Sequence, residues 1–311
     1  MNPATQVLRL LHTLIASTVP PSQQERARHT AARCIAVFAG SAWPVVAWRF
    51  SDLNADGCPL EICFSSADRT LRYTLEVAGP EFPAASRLSM ACALANELGH
   101  TPSPQSIAHW TALHTGHPLR WGASLGVRHS DGGERLKLYL ELPPSARRAV
   151  LEHRPHALLF HHDSLPIMLG HDISSATEEL YLRLPPLDHT QARAVHNALA
   201  ANPQTAPLLS SLAALFPMPL DSALQWMNLG YSVAQPTDAP PRVSLFLRST
   251  AIEPGRLKNF LQQSTLYLYK EPIAPLPSHG ILSLTYIAGR IETRIGISAL
   301  ALTAATQGVS A

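Results

Sequence analysis

The sequence lacks the signals that mark most enzyme classes. Only four cysteines occur, at 34, 58, 63 and 92, and no two make a Cys-x-x-Cys pair. A disulfide framework or a thiol-redox motif is therefore excluded, and buried free thiols in a reducing cytoplasm are the expectation. Formal charge is +2, which leaves no basic field for nucleic acid and no acidic tail. Any anion chemistry must come from a few local cations. No apolar run approaches the ~18 residues of a membrane span. The opening MNPATQVLRLLHTLIASTVPP has no basic start, and His12 and Thr13 interrupt its apolar positions; it reads as an amphipathic helix, not a signal peptide. A GxSxG elbow is missing, which argues against a serine hydrolase. GxGxxG and Walker loops are missing, which argues against nucleotide binding. No HExxH or His/Cys spacing offers a metal site. His161-His162-Asp163 and His171-Asp172 come nearest, but neighbours on a strand face opposite ways, so no metal is expected there.

What the sequence does hold is a repeat. GGERLKLYLELPP (132–144) and TEELYLRLPP (177–186) are nearly the same strand, with Tyr139 and Tyr181 separated by 42 residues. Such a period points to a repeated supersecondary unit. Helices are expected over 5–18 and 22–39, the second capped by Ser22, from apolar spacing at Leu8, Leu11, Ile15 and at Ala31, Ala32, Ile35, Phe38. WPVVAWRF (43–50), LEICFSS (60–66) and LRYTLEV (71–77) read as strands. Helices follow over 85–98 and 103–115. Then hairpins alternate with helices. GASLGVRH pairs with ERLKLYLEL, MLGHDISS with EELYLRLP, LGYSVAQ with RVSLFLRS, and ILSLTYIA with RIETRIGIS, the last turning at Gly289-Arg290. The intervening helices are expected over 144–154, near 188–200 and 207–215, and over about 254–263.

Aligning the closing strands puts Thr74, Tyr139, Tyr181 and Phe246 at equivalent points, spaced by 65, 42 and 65 residues. Five such hairpins with helices between them can close into a barrel of about ten antiparallel strands inside a helical ring, over residues 1–311 as a single domain. Closure removes exposed edges. On the strand at 135–142, Leu136, Leu138, Leu140 and Leu142 form one face and Arg135, Lys137, Tyr139 and Glu141 the other. The leucines are the side for helices to cover. The lumen is then polar and aromatic, a binding chamber.

At these residues the sequence resembles the aromatic prenyltransferases of the αββα (ABBA) barrel type, nearest in layout to the enzymes that prenylate cyanobactin peptides. The resemblance covers nearly the whole chain in layout and only short stretches in residues. CPLEICFSS is similar to the strand that carries the acceptor-binding glutamate, which implies Glu61. LRYTLEV offers Arg72 as a diphosphate cation. RLKLYLELP is similar to a Lys-x-Tyr strand, which implies Lys137 on the diphosphate and Tyr139 as a shield for the allyl cation. Tyr181 is similar to a second shielding tyrosine, and MLGHD resembles the strand preceding such a position; His171, in a strand leading toward the lumen, is a candidate substrate contact on that placement. Arg242-Val-Ser244-Leu-Phe246 resembles an Arg-x-Lys-x-Tyr strand, with Ser244 replacing a cation and Phe246 a tyrosine. The last strand, RIETRIGIS, lacks the usual aromatic but supplies Arg290 and Arg294. Arg242 and Arg294 lead the remaining diphosphate candidates, ahead of Arg128, Arg183, Arg248 and Arg290. There is no DDxxD motif, in keeping with this fold. The resemblance admits magnesium with the diphosphate and calls for no organic cofactor.

The implied activity moves a dimethylallyl or geranyl group from its diphosphate to an aromatic or other nucleophilic side chain of a peptide, as in natural-product (RiPP) tailoring, or to a small aromatic molecule. Fixed Arg and Lys stabilise the leaving diphosphate. Aromatic faces stabilise the cation, each by roughly 0.5–2 kcal/mol, and exclude the water that would quench it. Plainer readings exist. Lys137 with Glu179 or Glu141 makes an ordinary cross-strand ion pair; Tyr139 and Tyr181 fill a barrel; Glu61 and Arg72 are solvated strand residues. The rival reading is an inactive barrel binding a small molecule or peptide as an accessory protein, on the strength of the altered 242–246 strand. A cytoplasmic monomer without nucleic-acid or membrane partners completes the expectation.

Overall fold

The computed structural model describes residues 2–68, 70–235, 241–264 and 280–306. Two helices open the chain, α1 (Pro3–Thr18) and α2 (Gln24–Ala39). Asn2 caps α1, its side-chain oxygen accepting from the Ala4 N–H at 2.9 Å, and Pro3 sits where no N–H is needed. Val7, Leu11 and Ile15 of α1 are fully buried, at the four-residue spacing of one helix face. Ser22 does not cap the second helix as expected: a short 3₁₀ turn precedes it, and α2 starts at Gln24 without a side-chain cap.

Ten strands follow: β1 (Leu60–Ser65), β2 (Leu71–Glu76), β3 (Ala123–Ser130), β4 (Gly133–Glu141), β5 (Leu165–Asp172), β6 (Glu178–Arg183), β7 (Gly230–Gln235), β8 (Arg242–Arg248), β9 (Ile281–Ile287) and β10 (Arg290–Ser298). Each pairs antiparallel with its neighbours, and β1 pairs with β10, closing the barrel. Between and after them run α3 (Arg87–Glu97), α4 (Pro104–His114), α5 (Arg147–His153), α6 (His189–Ala201), α7 (Leu209–Ala214), α8 (Leu220–Ala223), α9 (Pro254–Gln263) and α10 (Ala299–Thr306). Asp188 and Gln191 form a capping box at the start of α6. The short α8 and the terminal α10 have no counterpart in the sequence-based expectation.

The expected strand at 43–50 is a correction. That stretch is a run of turns in which the Trp43 carbonyl accepts from the N–H groups of Val46 and Ala47. Both edges of β1 are taken, by β2 and β10, so no edge is left for another strand. Pro44 also removes a ladder donor. Val45 is 86 % exposed, so the apolar run is not core. The last hairpin turns one residue earlier than expected, at Ala288 and Gly289, both in the left-handed region at φ 50° and 80°. Two such residues make the tight turn that matches strand twist.

The two faces of the sheet are as expected. Leu136, Leu138, Leu140 and Leu142 are each at most 1 % exposed and join the core shared with the helices. Leu180, Leu182, Leu245 and Leu247 repeat the pattern on β6 and β8. Burying each such leucine is worth roughly 1.5–3 kcal/mol. The opposite face turns Lys137, Tyr139, Glu179 and Tyr181 into the lumen.

Candidate active site

Strand register sets the height of each lumen side chain. The partners run Gly296↔Cys63↔Arg72, Thr74↔Gly126↔Lys137, Tyr139↔Gly170↔Glu179, Tyr181↔Ser232↔Ser244 and Phe246↔Ser283↔Arg294. Each series ends two residues short of where the next begins, and the circuit closes on Gly296 after five steps. The register thus slips ten residues around ten strands. When slip equals strand number, inward side chains stack in layers drawn from alternate strands.

Four layers follow from the rim inward. Glu61, Ser124, Met168, Gly230 and Ile281 come first. Thr74, Tyr139, Tyr181, Phe246 and Gly296 lie beneath them. Below these is a ring of small residues, Cys63, Gly126, Gly170, Ser232 and Ser283. Arg72, Lys137, Glu179, Ser244 and Arg294 form the fourth. The positions equated from the sequence repeat, Thr74, Tyr139, Tyr181 and Phe246, therefore share one layer in space.

The aromatic layer is contiguous. The Tyr139 and Tyr181 ring centres are 6.1 Å apart at 67°, and Tyr181 and Phe246 are 5.9 Å apart at 54°. The small ring below gives them room. A Cβ at Gly126 would fall 2.8 Å from the Tyr139 ring, and one at Gly170 would fall 2.4 Å from Lys137 Cε and 3.1 Å from the Tyr181 ring. Lys137 Nζ sits 5.3 and 5.4 Å from the centres of those two rings, within cation–π range.

The fifth place in the aromatic layer belongs to Gly296, and Glu61 fills it. A Cβ there would lie 2.2 Å from the Glu61 carboxyl carbon. The missing aromatic of the last strand is thus the space into which the Glu61 side chain leans. Burial pushes this carboxyl up to about 7, with the Ile281 N–H pulling the other way. Its Oε2 is buried and has no hydrogen-bond partner among the described residues. A buried carboxyl with one unpartnered oxygen and a pKa near neutrality is a candidate proton acceptor.

The charged layer is built differently. Lys137 forms a hydrogen-bonded ion pair with Glu179, and Tyr181 donates to the same carboxylate at 2.8 Å. Ser232 donates to its other oxygen at 2.5 Å. Burial works to raise the Glu179 carboxyl, but Lys137 and these donors overcome it and hold it well below the ordinary range. Burial opposes the Lys137 ammonium, and Glu179 more than compensates, so its pKa rises. The ion pair expected as the plainer reading of Lys137 is therefore present, in the lumen. Arg294 pairs with Glu292 at 2.6 Å, and Glu292 accepts from Ser65 at 2.9 Å. Arg72 and Arg128 share Asp68 at 2.9 and 3.4 Å. One buried nitrogen of each, Arg72 Nη1 and Arg128 Nε, has no partner among the described residues. Burial and the nearby Arg72 depress the Arg128 guanidinium. The side chains of Lys137, Arg294 and Glu179 are 23, 31 and 15 % exposed inside a closed barrel, so they face open lumen.

The structure brings Glu61, Arg72, Lys137, Tyr139, Tyr181, Phe246 and Arg294 into adjoining layers. Arg242 stands apart, exposed at the far end of β8. His171 is a correction. It pairs in register with Leu138 and so shares the leucine face, where its ring packs edge-on against Trp110 at 4.6 Å. Strand period decides this: its neighbours Gly170 and Asp172 face the lumen, so His171 cannot. Ser244, the lost cation, accepts from Thr285 at 2.7 Å, while Arg294 carries charge in the same layer. Sequence reasoning missed Glu179 as a lumen anchor, although it lies two residues before Tyr181 and so on its face. It also missed Asp68, four residues before Arg72, and Glu292, two residues before Arg294 and so on its face.

The histidine run departs from expectation in geometry. His161 and His162 lie in a turn, not a strand, so their rings stack at 4.6 Å. With Asp163 their ligand atoms come within 4.8 Å of one another, outside the lumen. Among the described residues the cysteines are free thiols, and no helix is long and apolar enough to cross a membrane.

No family model matches the chain, and no curated protein does. Solved structures do. A 6-dimethylallyltryptophan synthase from Micromonospora olivasterospora, in complex with DMASPP and Trp, superimposes with TM-score 0.67 at 15 % identity over 96 % of this chain and 97 % of that one. A 5-dimethylallyl tryptophan synthase from Streptomyces coelicolor, also with DMASPP and Trp, gives 0.71 at 13 % identity, over 95 and 94 %. Prenyltransferase PriB with product diphosphate gives 0.72 at 14 % identity, over 97 % of each chain. None of the three carries the expected nearness to the cyanobactin branch. The ten-strand closure, the ring of helices and these end-to-end superpositions together make the fold the αββα prenyltransferase barrel.

Proposed function

We propose that the chain is a prenyltransferase that moves a dimethylallyl or geranyl group from its diphosphate to an aromatic acceptor, either a side chain of a peptide or a small aromatic molecule. One observation carries the reading: a layer holding Arg72, Lys137 and Arg294 lies one small-residue ring beneath Tyr139, Tyr181 and Phe246, with the Glu61 carboxyl in the gap of the aromatic layer. Among the solved structures that superimpose on the chain, two dimethylallyltryptophan synthases hold DMASPP and Trp and prenyltransferase PriB holds product diphosphate, which supports it.

In this reading the allylic C–O bond breaks and its electron pair leaves with the diphosphate. Arg72 and Arg128 meet that charge with their unpartnered N–H groups, beside Lys137 and Arg294. The three rings line the path of the allyl cation and keep water from it. The acceptor's nucleophilic atom bonds to the allylic carbon, and its proton passes to the Glu61 carboxylate. Asp68, Glu179 and Glu292 are each engaged by a cation, so any magnesium would enter coordinated to the diphosphate. The protein works as a monomer in the cytoplasm.

The test is calorimetric titration with non-hydrolysable thiolo analogues of dimethylallyl and geranyl diphosphate, with and without magnesium, followed by an acceptor screen of aromatic peptides and free tryptophan. Micromolar binding of one analogue and a prenylated product are expected. Failure of both analogues to bind would overturn the reading and leave the inactive, ligand-binding barrel.

A further inference from the structure

One mouth of the barrel carries more cation than the chain neutralises. Arg183 and Arg248 end β6 and β8, two residues beyond Tyr181 and Phe246 on the same strands, so they stand on the lumen side of the rim. Arg147 opens α5 just after β4, and Arg120 precedes β3, at the same end of the barrel. Burial and the charges of Arg248, Arg147 and Arg120 depress the Arg183 guanidinium, as expected of four cations gathered at one opening. Asp52 pairs with Arg120 at 2.6 Å. Of the other carboxylates at this end, Glu61 leans inward over Gly296, and Glu141 and Glu76 are held by other groups. Glu141 accepts from the backbone N–H groups of Arg120, Trp121 and Gly122, and Glu76 holds Arg87 and Ser51. Among the described residues, Arg147, Arg183 and Arg248 have no ion-pair partner.

Apolar groups are interspersed with this charge. Leu165, the register partner of Arg183, is 43 % exposed, and Ile281, the partner of Arg248, is 40 % exposed. Trp226, four residues before Arg183's other partner Gly230, is 81 % exposed. Unpaired cations beside exposed apolar side chains complement an anionic, amphipathic chain.

We propose that this rim docks an acidic peptide segment flanking the acceptor's aromatic residue. The proposal rests on the prenyl-transfer reading and narrows its acceptor. The two-residue step along each strand from rim arginine to aromatic layer spans about 7 Å, comparable to the reach of a tryptophan or tyrosine side chain from its own backbone. A peptide lying across the rim puts such a ring beside Glu61, while neighbouring carboxylates meet Arg183 and Arg248.

The experiment compares fluorescein-labelled Glu-Asp-Glu-Trp-Glu-Asp with its amide counterpart Gln-Asn-Gln-Trp-Gln-Asn by fluorescence anisotropy. Each is titrated with the wild-type protein and with Arg183→Gln/Arg248→Gln, at low and high salt. Both proteins are also titrated with the thiolo analogue of dimethylallyl diphosphate. The acidic peptide is expected to bind the wild type at least tenfold more tightly than its counterpart. Added salt and the double variant should each remove that preference and leave analogue binding unchanged. Equal binding of the two peptides to the wild type, or a preference that survives the double variant, overturns the proposal. Loss of the analogue in the double variant also overturns it, because the rim would then hold diphosphate. If the acidic preference stands while no analogue binds the wild type, the docking surface is supported and the prenyl-transfer reading fails.

Discussion

Two glutamates face the same lumen three layers apart, and their surroundings treat them in opposite ways. Glu61 leans over Gly296 with one oxygen unpartnered among the described residues, and burial lifts its carboxyl to about 7. Glu179 is gripped by Lys137, Tyr181 and Ser232 and stays ionised far below neutrality. Buried carboxyls whose pKa values are pushed apart carry different tasks. Glu179 is an electrostatic fixture that orients Lys137 and Tyr181. Glu61 is poised to exchange a proton. On the proposed reading the difference sorts the lumen into a donor end, built from satisfied ion pairs with two spare guanidinium N–H groups, and an acceptor end where Glu61 keeps one oxygen unpartnered among the described residues.

The sharpest way to break this comparison is to strand the fixture. Lys137→Met leaves Glu179 buried without its cation, which typically costs about 3–5 kcal/mol. Thermal unfolding should show that loss, and calorimetry should show donor-analogue binding weakened at least 100-fold. Lys137→Met/Glu179→Gln should recover most of the stability and none of the binding. If the double variant binds the analogue, Lys137 is a structural partner only. Acid should expose the same fixture in the wild type. The Glu179 carboxyl is depressed in the folded state, so its stabilisation is present above about pH 4 and is lost as pH falls further.

Glu61→Gln tests the other half. Transfer to an aromatic acceptor should fall by about 10²–10⁴-fold, with analogue affinity within about twofold of the wild type. Stability should respond in the opposite sense to that of Glu179. Between an unfolded value of about 4.3 and the folded value of about 7, the native state keeps a proton that the unfolded chain has lost. Stability therefore falls as pH rises through that window, and the glutamine variant should lack this slope in a series of melting curves. In the wild type, kcat/KM should climb towards pH 7 as the carboxylate forms. A glutamine variant with an unchanged rate would remove Glu61 from the proton path.

Much of this contrast was legible in the sequence, because parity is local. The leucine face, the lumen positions of Lys137, Tyr139 and Tyr181, and the equivalence of Thr74 and Phe246 all follow from period-two alternation and the repeat. The partnership of Lys137 with Glu179 could be written as one of two choices. The environment of Glu61 could not be read, since it depends on β10 lying beside β1, more than 200 residues away in the chain. The bond from Ser65 to Glu292 stayed hidden for the same reason, and the reach of Arg128 to Asp68 depends likewise on β3 lying beside β2. His171 was misplaced although its parity was available: Gly170 and Asp172 flank it, and a glycine gives no sign of which face it occupies. The 43–50 stretch misled because apolar, β-branched composition says nothing about whether a free sheet edge exists to receive it.

The smallest effects should come from two glycines, one serving each carboxyl. Gly170 is the register partner of Glu179, and a methyl there would lie 2.4 Å from Lys137 Cε. Gly296 stands beneath Glu61, where a methyl would lie 2.2 Å from the carboxyl carbon. Neither glycine has the positive φ that would itself strain an alanine, so each substitution acts through the side chain it displaces. Both displaced groups are ends of flexible chains and can shift, so losses of about tenfold, near 1.4 kcal/mol, are the expected scale. The two losses should fall on different quantities. Gly170→Ala moves the ammonium and the Tyr181 ring, and should weaken the donor analogue with little change in kcat at saturating donor. Gly296→Ala moves the proton acceptor, and should lower kcat while the analogue binds as before. If both alanines weakened the analogue alike, the lumen would not be divided into donor and acceptor ends, and the contrast between the two glutamates would describe stability only.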